Sequence, residues 1–463
     1  MGEGVGRGAK PRGGGRVRVA VVGGGLAGIA AALSCADGGA EVTLVEVRPR
    51  LGGAAYSFER DGMLLDNGQH VFLRCCTAYR ALLERLGTSE ATTMQERLTI
   101  PVIAPGGRVE WLRRDGLPAP LHLAGSLARY GHLSLRERAR AARAALRLSQ
   151  LDLADEDLDA RTFGAWLEEH GQSPAATESL WNLIALPTLN LRAEEASLAM
   201  AAFVFQTGLL HDPAAGDVGY ARRPLSAIHG EPSARALRAA GVEIRTGWRA
   251  ERIEAGPSGE FTVRGADDEV SADSVIVALP PARAAGVLPE GTLDDPARLD
   301  GLGTSPIVNL HIVYDGQVTD FDLAAGVRSP VQWIFDRTRE SGASSGQHLA
   351  ISLSGAGEEA RMGRDELYDR YVPALRELLP RARDARIERF EVVREHNATF
   401  RAAPRVNGLR PAARTRIDGL ALAGAWTATG WPATMEGAVR SGLTAARQAL
   451  RLRDRAPLAE VAA

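Results

Sequence analysis

The sequence predicts an α/β protein in which a Rossmann-like dinucleotide-binding domain carries a discontinuous second domain of α+β type. Near the N-terminus an apolar run, a glycine-rich loop, an alanine-rich helix and a second strand-like run follow one another between residues 17 and 46. Strand-like runs and helical segments recur near 235–282 and 420–450, with two long inserts between these regions. At 463 residues the chain is also too long for one ordinary core, so two intertwined domains are expected.

The first element is a β-α-β unit suited to an adenine dinucleotide. Gly23 is expected to make the tight turn, Gly25 to let the backbone approach a pyrophosphate, and Gly28 to let helix and strand pack closely. Leu26 and Ala27 lie in the first helical turn, where backbone amides face the negative charge. The unit therefore predicts a nucleotide site at the start of the helix.

The second strand supports the same interpretation. It ends on Glu46, which can accept hydrogen bonds from ribose hydroxyls, and Gly52 and Gly53 follow. A glycine-rich turn in a purely structural α/β unit is the alternative. Because strand, helix, second strand and terminal acid occur in the expected order, nucleotide binding is the favoured interpretation.

Composition excludes several classes of protein. The chain is 45% apolar with a net charge of −2, which is typical of a soluble globular protein, and no apolar run approaches the roughly 20 residues of a membrane span. Acidic residues balance the arginines, so no nucleic-acid partner is expected. Cys35, Cys75 and Cys76 form no disulfide framework and no metal-ligand spacing, and a cytoplasmic location fits them.

The recurring strand signals divide the chain into interleaved segments. The glycine-rich, basic N-terminus lacks the apolar core of a signal peptide and is expected to be disordered. The predicted division is a disordered tail at 1–15, a nucleotide-binding domain at 16–105, 233–299 and 393–455, a second, substrate- and membrane-facing domain at 106–232 and 300–392, and a tail at 456–463.

Two segments resemble a known family. The run from Glu46 to Gly53 resembles the E-x5-G-G segment of the amine oxidase and phytoene desaturase flavoprotein superfamily, which binds FAD. The run from Leu422 to Trp426, leading into Pro432–Ala438, is similar to the C-terminal flavin motif of that superfamily. The resemblance implies an FAD-binding domain of the glutathione reductase type.

Three further segments narrow the resemblance to one branch. Asp66–His70, Thr188–Asn190 and Trp426–Ser441 most resemble the squalene-associated branch, the hydroxysqualene dehydroxylases of hopanoid biosynthesis. Membership implies that reduced FAD delivers hydride to an allylic carbon of hydroxysqualene, that water leaves, and that squalene results. A carotenoid or phytoene-type desaturase and a non-catalytic lipid-escort protein on the same fold are the alternatives. Amine oxidase chemistry commonly uses a lysine near the flavin, and the only lysine here is Lys10.

The resemblance also implies a set of cofactor contacts. Gly437, near a helix start, would let backbone amides approach the flavin pyrimidine or the ribityl chain. The expected cofactor-binding residues are Gly23, Gly25, Leu26, Ala27, Gly28, Glu46, Arg48, Gly52, Gly53, Ala250, Gly424, Trp426, Met435, Glu436, Gly437 and Ala438.

Two positions depart from the superfamily pattern. Ala54 stands where an arginine usually follows the glycine pair, and Ala425 stands where an aspartate usually follows the glycine. Each absence removes one polar contact, worth about 1–3 kcal/mol if it is charged and buried. These absences predict weaker FAD binding unless the neighbouring Arg48 or Arg50 compensates for the lost contacts.

Dehydroxylation needs an acid for the departing hydroxyl, because hydroxide is a poor leaving group. His70 is the first candidate, since an ordinary histidine pKa allows a proton near neutrality, and Asp66 and Gln69 could orient it or the substrate. The alternative is a turn with a strand-capping histidine. Asn190 could reach the substrate hydroxyl, although an asparagine there more often closes a turn.

Apolar segments offer candidates for the substrate sheath. Trp426 and Trp431 could wall the isoalloxazine or pack in a core. The run from Ala201 to Leu210, with Phe203 and Phe205, could line a polyisoprenoid tunnel or form an ordinary buried helix.

A basic amphipathic helix is predicted over Leu135–Leu148, and it could give peripheral contact with the inner face of the plasma membrane. The alternative is a solvated arginine face above a core. The arginines of one face are Arg136, Arg140, Arg143 and Arg147, and the apolar stripe is Leu135, Ala139, Ala142 and Leu146. No metal site is predicted, and the oligomeric state is left open.

Overall fold

The computed structural model describes residues 16–343 and 345–450, so the tails expected at 1–15 and 456–463 lie outside the described residues. Within this part the chain forms twenty strands and sixteen α-helices. The strands are β1 Arg18–Val22, β2 Glu41–Glu46, β3 Ser57–Arg60, β4 Met63–Asp66, β5 Val71–Leu73, β6 Thr92–Met94, β7 Thr99–Ala104, β8 Arg108–Arg113, β9 Val218–Ala221, β10 Glu243–Thr246, β11 Arg252–Ala255, β12 Phe261–Arg264, β13 Glu269–Ala272, β14 Ser274–Val277, β15 Ser305–Tyr314, β16 Leu323–Gly326, β17 Trp333–Asp336, β18 Gln347–Ser354, β19 Ile387–Thr399 and β20 Leu420–Leu422. The helices are α1 Leu26–Asp37, α2 Thr77–Leu86, α3 Ala124–Arg129, α4 Leu135–Leu148, α5 Phe163–Glu169, α6 Pro174–Ala176, α7 Asn182–Leu189, α8 Leu198–Phe205, α9 Leu225–His229, α10 Glu231–Ala239, α11 Pro281–Val287, α12 Arg298–Gly301, α13 Thr338–Ser341, α14 Arg364–Leu378, α15 Val406–Leu409 and α16 Met435–Ala449.

The nucleotide-type sheet is five-stranded and parallel, in the order β10-β2-β1-β14-β20. Its central strands β1 and β14 are almost wholly buried, as parallel strands covered on both faces must be. Helix α1 packs on this sheet and against α16, and a Cβ added at Gly442 would lie 2.1 Å from the carbonyl oxygen of Ala27. The predicted α/β fold with a Rossmann-like unit is confirmed.

A second sheet has seven strands in the order β19-β15-β18-β17-β16-β7-β8, and only the β16–β7 pair within it is parallel. Strand β7 at 99–104 pairs into this sheet, although the predicted division places it in the nucleotide-binding domain. The division at 392 falls inside β19, which spans both sides of it. Both β7 and β19 therefore belong to the seven-stranded sheet, because the domain of a strand is set by the strands to which it is hydrogen-bonded.

Three smaller sheets accompany these two. Strands β11, β12 and β13 form an antiparallel sheet between β10 and β14, β3 and β4 form a hairpin, and β9 lies between β5 and β6. In the described part of the chain, no helix is both long enough and apolar enough to cross a bilayer.

The helical insert between β8 and β9 contributes an aromatic cluster to the core that it shares with the five-stranded sheet. The Phe205 ring lies 5.5 Å from Phe163 and 5.2 Å from Trp181, and all three side chains are buried. Phe203, on the same helix, is only partly buried and points its ring edge at Trp431 at 5.1 Å. Phe205 therefore belongs to an ordinary core, and Phe203 is the member of this pair that faces the C-terminal motif.

Helix α4 buries a different face from the one that the sequence pattern suggested. Its core contacts come from Ala141, Ala144 and Leu148. The stripe expected to be its apolar face is exposed to solvent along its length, and Leu135 is 78% exposed. The helix thus packs on the core through another face, and both the membrane-facing role and the alternative of a solvated face above a core stay open. The exposed stripe consists of Leu135, Ala139, Ala142 and Leu146.

Candidate functional site

The glycine loop between β1 and α1 has the close packing that its spacing predicts. Gly23 has a φ of +113°, and its N–H donates to the carbonyl oxygen of Val45 at 2.8 Å. A Cβ added at Gly28 would lie 1.8 Å from the carbonyl oxygen of Gly23, so only glycine fits there. Gly25 lies at the N-cap of α1, and the nearest atom to an added Cβ there is the Cα of Gly53 at 3.7 Å. Space for a ligand thus opens above the helix start.

Glu46 is held at the end of β2, directly beside this loop. Its carboxylate is 8% exposed and accepts from the Gly24 N–H at 2.6 Å and from the Arg48 N–H at 2.8 Å. Each carboxylate oxygen keeps lone-pair capacity for a further donor such as a ribose hydroxyl. The Gly52 N–H donates to the Gly24 carbonyl oxygen at 2.9 Å, which fixes the second glycine segment against the first.

Arg50 lies at this junction and has an incompletely bonded guanidinium. Its Nη1 donates to the carbonyl oxygen of Gly53 at 3.2 Å, and its carbon Cζ stacks 3.8 Å from the centre of the Tyr56 ring. Its Nη2 is buried and has no hydrogen-bond partner. Burial, and then the charge of Arg48, lower the pKa of Arg50. An orphaned buried donor beside an open helix N-terminus fits an anionic group such as a pyrophosphate.

The C-terminal motif closes the end of the same sheet after β20. Gly424 has a φ of +142°, and its N–H donates to the Ser441 hydroxyl at 2.8 Å. Trp426 packs over Gly424, is buried, and donates its indole N–H to the Leu279 carbonyl oxygen at 2.9 Å. This contact ties the motif to the end of β14, so Trp426 serves the core whether or not it also meets a cofactor.

The start of α16 presents backbone amides next to this motif. The Thr434 hydroxyl caps the helix by accepting from the Gly437 N–H at 3.1 Å. A Cβ at Gly437 would lie 2.7 Å from the Pro432 carbonyl oxygen, so the chain needs glycine there. Met435 and Ala438 in the first turn are partly exposed. These positions remain predicted cofactor contacts.

Glu436 is a predicted cofactor-binding position whose side chain is engaged elsewhere in the protein. Its carboxylate is 1% exposed and accepts from the N–H groups of Ala78 at 3.1 Å and Tyr79 at 2.7 Å, at the start of α2. Arg440 Nε adds an ion pair at 2.6 Å. The carboxylate therefore caps α2, because the first amides of that helix have no other acceptor.

Arg410 is a residue of this region that sequence reasoning missed. It is 4% exposed, and its Nη2 lies within hydrogen-bond distance of the carbonyl oxygens of Thr427 at 2.6 Å and Trp431 at 2.7 Å. Burial lowers its pKa to about 10. Arg410 thereby shapes the loop between the two halves of the C-terminal motif. No spacing pattern links an arginine before the strand to carbonyls after it.

Asp66 is the first residue of the segment predicted to carry the catalytic acid. Both of its carboxylate oxygens are hydrogen-bonded within the protein. One carboxylate oxygen accepts from the Ser57 hydroxyl at 2.6 Å and from the Leu225 N–H at 3.0 Å. The other accepts from Arg337 Nη2 at 2.7 Å, in an ion pair whose side chains are 6% and 5% exposed. Asp66 thus holds its loop in place, and Arg337, far away in sequence, is the residue that completes it.

The seven-stranded sheet supports the same loop through side chains of β15. His311 Nε2 lies 3.1 Å from the Asp66 carbonyl oxygen, and its Nδ1 lies 3.0 Å from His348 Nε2 on β18. Asn309 donates from Nδ2 to the Asn67 carbonyl oxygen at 3.2 Å. Burial lowers the pKa of His311 to about 3 and that of His348 to about 4. The two histidines are far apart in the sequence, and nothing in the local pattern pairs them.

His70 and Gln69 line a small cavity. This cavity measures about 10 Å³, close to the space of one water molecule, and Asp66, Tyr220 and Arg337 also line it. The Nε2 of Gln69 is buried without a partner. Burial lowers the pKa of His70, and the charges of Asp66 and Glu395 oppose that shift. The premise of an ordinary histidine pKa was therefore wrong, because this imidazole is largely desolvated.

Asn190 ends α7 in the left-handed conformation, with a φ of +52°. Its Nδ2 donates to the Ser305 carbonyl oxygen at 2.9 Å and to the Thr399 hydroxyl at 3.0 Å, and its Oδ1 accepts from the Gly355 N–H at 2.6 Å. Both amide hydrogens are used inside the protein. The expectation that this amide meets a substrate hydroxyl is replaced by the turn-closing role.

Ala250 is partly buried and lies shortly after β10, apart from the loop of His70. The nearby Trp248 N–H donates to the Glu46 carbonyl oxygen at 2.9 Å, which brings this segment to the nucleotide end of the site. The structure therefore gathers the predicted residues into two groups. The cofactor end contains the two glycine segments, Glu46 and the C-terminal motif, and the acid–histidine loop is residues 66–70.

Comparison with known proteins identifies the family of this chain. Residues 26–450 match the family model described as flavin containing amine oxidoreductase. The chain is 29% identical over 441 residues to a hydroxysqualene dehydroxylase of Rhodopseudomonas palustris, covering 92% of this chain and 97% of that protein. It is 27% identical to a probable zeta-carotene desaturase of Synechococcus elongatus, covering 94% and 98%. The crystal structure of cyclohexylamine oxidase from Brevibacterium oxydans superposes with a TM-score of 0.68 at 20% identity, covering 95% and 100% of the two chains.

Proposed function

This chain belongs to the flavin-containing amine oxidoreductase family, as an FAD-dependent oxidoreductase, and we propose that it converts the polyisoprenoid alcohol hydroxysqualene to squalene in hopanoid biosynthesis. The observation that carries the proposal is the acid–histidine loop. Its Asp66 and backbone carbonyls are held by internal contacts, while Gln69 and His70 face a cavity. Similarity over most of the chain to a relative named for this activity supports the substrate.

The residues of the loop take separate roles in this proposal. The glycine segments, Glu46 and the C-terminal motif would hold FAD, which in its reduced form would supply the hydride. His70 gives a proton to the departing hydroxyl, so that water leaves the allylic carbon. The buried Nε2 of Gln69 donates to the same hydroxyl and orients it. Asp66 and Arg337 also line the cavity, and we assign them a positioning role, because their buried ion pair holds the loop in place.

Amine oxidation fits the chain less well than chemistry on a polyisoprenoid. The only lysine is Lys10, so residues 16–463 have no lysine to place near a flavin. Desaturation of a carotenoid precursor remains the second candidate, because a relative named as a probable zeta-carotene desaturase matches 94% of this chain. The two reactions differ in the direction of hydride transfer.

Product formation separates these functions. The holoprotein, reduced under anaerobic conditions, is incubated with hydroxysqualene, and the oxidised holoprotein is incubated with squalene and with phytoene. We expect squalene from hydroxysqualene and no desaturated product from the other two. Desaturated phytoene without dehydroxylation would overturn the proposal in favour of a desaturase, and absence of any product with flavin bound would favour a lipid-escort protein.

His70 can be tested separately. We expect His70→Ala to keep bound FAD and to lower turnover of hydroxysqualene by about 100-fold or more, as loss of a general acid does. Turnover of the unchanged protein should fall as the pH rises through a pKa below 6.5, because burial favours the neutral imidazole. His396→Ala, at an exposed histidine, is the matched control. Unchanged turnover in His70→Ala would remove His70 from the mechanism.

We also propose that the exposed stripe of α4 rests on an anionic membrane surface at the inner face of the plasma membrane. Leu135 and Leu146 are exposed, and arginines border them on the neighbouring helix face. Leu117, Leu121 and Leu153, nearby in the chain, are exposed as well. A helix that places leucines and arginines side by side suits the interface of an anionic bilayer.

Vesicle co-sedimentation tests this surface. We expect binding to vesicles containing phosphatidylglycerol, weaker binding to phosphatidylcholine alone, and loss of binding when the four arginines of the α4 face are changed to glutamate. Leu135→Gln with Leu146→Gln should weaken binding without a change of charge. The control changes Arg18, Arg252, Arg414 and Arg416, which are exposed elsewhere, to glutamate. Equal loss in both sets of variants would contradict a specific membrane face.

A further inference from the structure

We propose that Arg50 provides the cation that binds the FAD pyrophosphate in this chain, in place of an arginine at position 54. The family pattern has an arginine directly after the glycine pair, and this chain has Ala54. The inference rests on the FAD cofactor of the family and not on the substrate proposed above. It therefore stands or falls with cofactor affinity alone.

The guanidinium of Arg50 is partly buried and incompletely paired. Nη1 donates to the carbonyl oxygens of Gly53 at 3.2 Å and Leu51 at 3.5 Å, whereas Nη2 is buried and has no partner. Among the ion pairs of the described residues, none includes Arg50. Since a buried N–H group is normally hydrogen-bonded, Nη2 is placed to donate to a bound anion.

The position of Arg50 identifies that acceptor by its chemistry. Nη1 bonds to Gly53, and a Cβ added at Gly53 would lie 2.7 Å from the Cα of Gly25, so the two glycine segments touch. Gly25 begins α1, where the amides of Leu26 and Ala27 point out of the helix without intrahelical partners. A diphosphate at this helix start would meet backbone donors from one side and the Arg50 guanidinium from the other.

The surroundings of Arg50 hold it in this orientation before any ligand binds. The Tyr56 ring lies 3.8 Å from its Cζ atom. Tyr56 is itself fixed, because its N–H donates to Asn67 Oδ1 at 3.1 Å and its hydroxyl donates to Glu395 Oε1 at 3.3 Å. Arg48, by contrast, is exposed and lies 5.6 Å from the same ring. Of the two arginines, Arg50 is the one that the protein orients in advance.

The test is the affinity of the holoprotein for FAD, measured from the recovery of flavin fluorescence on dilution. We expect Arg50→Gln to raise the dissociation constant about 10- to 100-fold, the range of a charge-assisted contact. Arg50→Lys should have a dissociation constant between those of the unchanged protein and Arg50→Gln. Arg113→Gln is the matched control, because Arg113 also stacks on an aromatic ring, at 3.8 Å from Trp111, but lies on β8. Affinity in this control should not change.

A second-site variant distinguishes a charge contact from a folding defect. We expect Ala54→Arg, introduced into Arg50→Gln, to restore FAD affinity by returning the cation to the family position. ADP should compete with FAD more weakly in Arg50→Gln than in the unchanged protein, whereas competition by adenosine should be equal. Unchanged FAD affinity in Arg50→Gln would overturn the proposal, as would an equal loss of ADP and adenosine competition. Either result leaves the test of substrate turnover unaffected.

Discussion

The cofactor end and the acid–histidine loop are built in opposite ways. At the cofactor end, contacts come mostly from backbone groups of neighbouring segments, such as the Gly24 N–H on Glu46 and the Gly52 N–H on the Gly24 carbonyl oxygen. At the loop, the Asp66 carboxylate is held by Arg337, which directly precedes α13. Its carbonyl oxygen is held by His311 on β15. A motif of consecutive glycines can encode the first arrangement, whereas the second exists only after distant strands pair.

Among the substitutions, the one that breaks the buried ion pair of the loop should have the largest effect. We expect Arg337→Ala to lower the free energy of unfolding by about 3–5 kcal/mol, because it leaves the Asp66 carboxylate buried without its cation. Urea unfolding measures the change. Arg18→Ala breaks a pair with Asp273 whose side chains are both 46% exposed, and should cost at most about 1 kcal/mol. Equal effects of the two variants would mean that the loop does not depend on this pair.

The corresponding test at the cofactor end adds one methyl group at Gly28. Gly28→Ala would place a Cβ 1.8 Å from the Gly23 carbonyl oxygen, so we expect a loss of about 1–3 kcal/mol together with reduced FAD content. Gly286→Ala, on α11 with no atom within 4 Å of the added Cβ, should instead stabilise by about 0.5–1 kcal/mol. Thermal unfolding and bound flavin are the measurements. Retention of full FAD content in Gly28→Ala would contradict the close packing inferred for the loop.

Acidification should act on the acid–histidine loop through its supporting histidines. His311 and His348 have pKa values of about 3 and about 4 in the folded protein, below the ordinary value of 6.5. Above pH 6.5 both histidines are mostly neutral in the folded and in the unfolded protein, so they do not affect the free energy of unfolding. As the pH falls below 6.5, the unfolded chain takes up protons that the folded protein refuses, so stability declines by about 1.4 kcal/mol per pH unit for each histidine.

Unfolding free energies measured between pH 7 and pH 4 check this decline. His311→Gln keeps a side-chain donor and removes the titration, so its slope should be shallower. His396→Gln, at an exposed histidine, should leave the slope unchanged. A slope that is the same in all three proteins would show that these histidines do not set the acid sensitivity.

The smallest loss of stability is expected from a substitution of Glu436. This variant also tests whether the Glu436 side chain takes part in binding FAD. Glu436→Gln should cost about 0.5–2 kcal/mol, because the neutral amide caps α2 less well than the carboxylate. FAD affinity should stay the same, since the side chain faces Ala78 and Tyr79. Thermal unfolding and fluorescence titration report the two quantities separately. A large loss of affinity without a loss of stability would return Glu436 to the cofactor contacts.

The sequence by itself determined the cofactor end of this protein. The order of strand, glycine loop, helix and terminal acid predicted the β-α-β unit. Gly23 and Gly28 have the turn and close packing that their spacing indicated, while the ribose contact of Glu46 stays a prediction. These features are readable because each depends on residues within one supersecondary unit, where backbone geometry limits which residue types fit.

Only the tertiary structure decided what surrounds the acid–histidine loop. It brought Arg337 to Asp66, consumed the amide of Asn190 in a turn, and desolvated His70 enough to lower its pKa. It also turned the predicted apolar stripe of α4 outward. The physical reason is that burial and side-chain pairing depend on which strands and helices become neighbours, and that arrangement has no local signature in the chain.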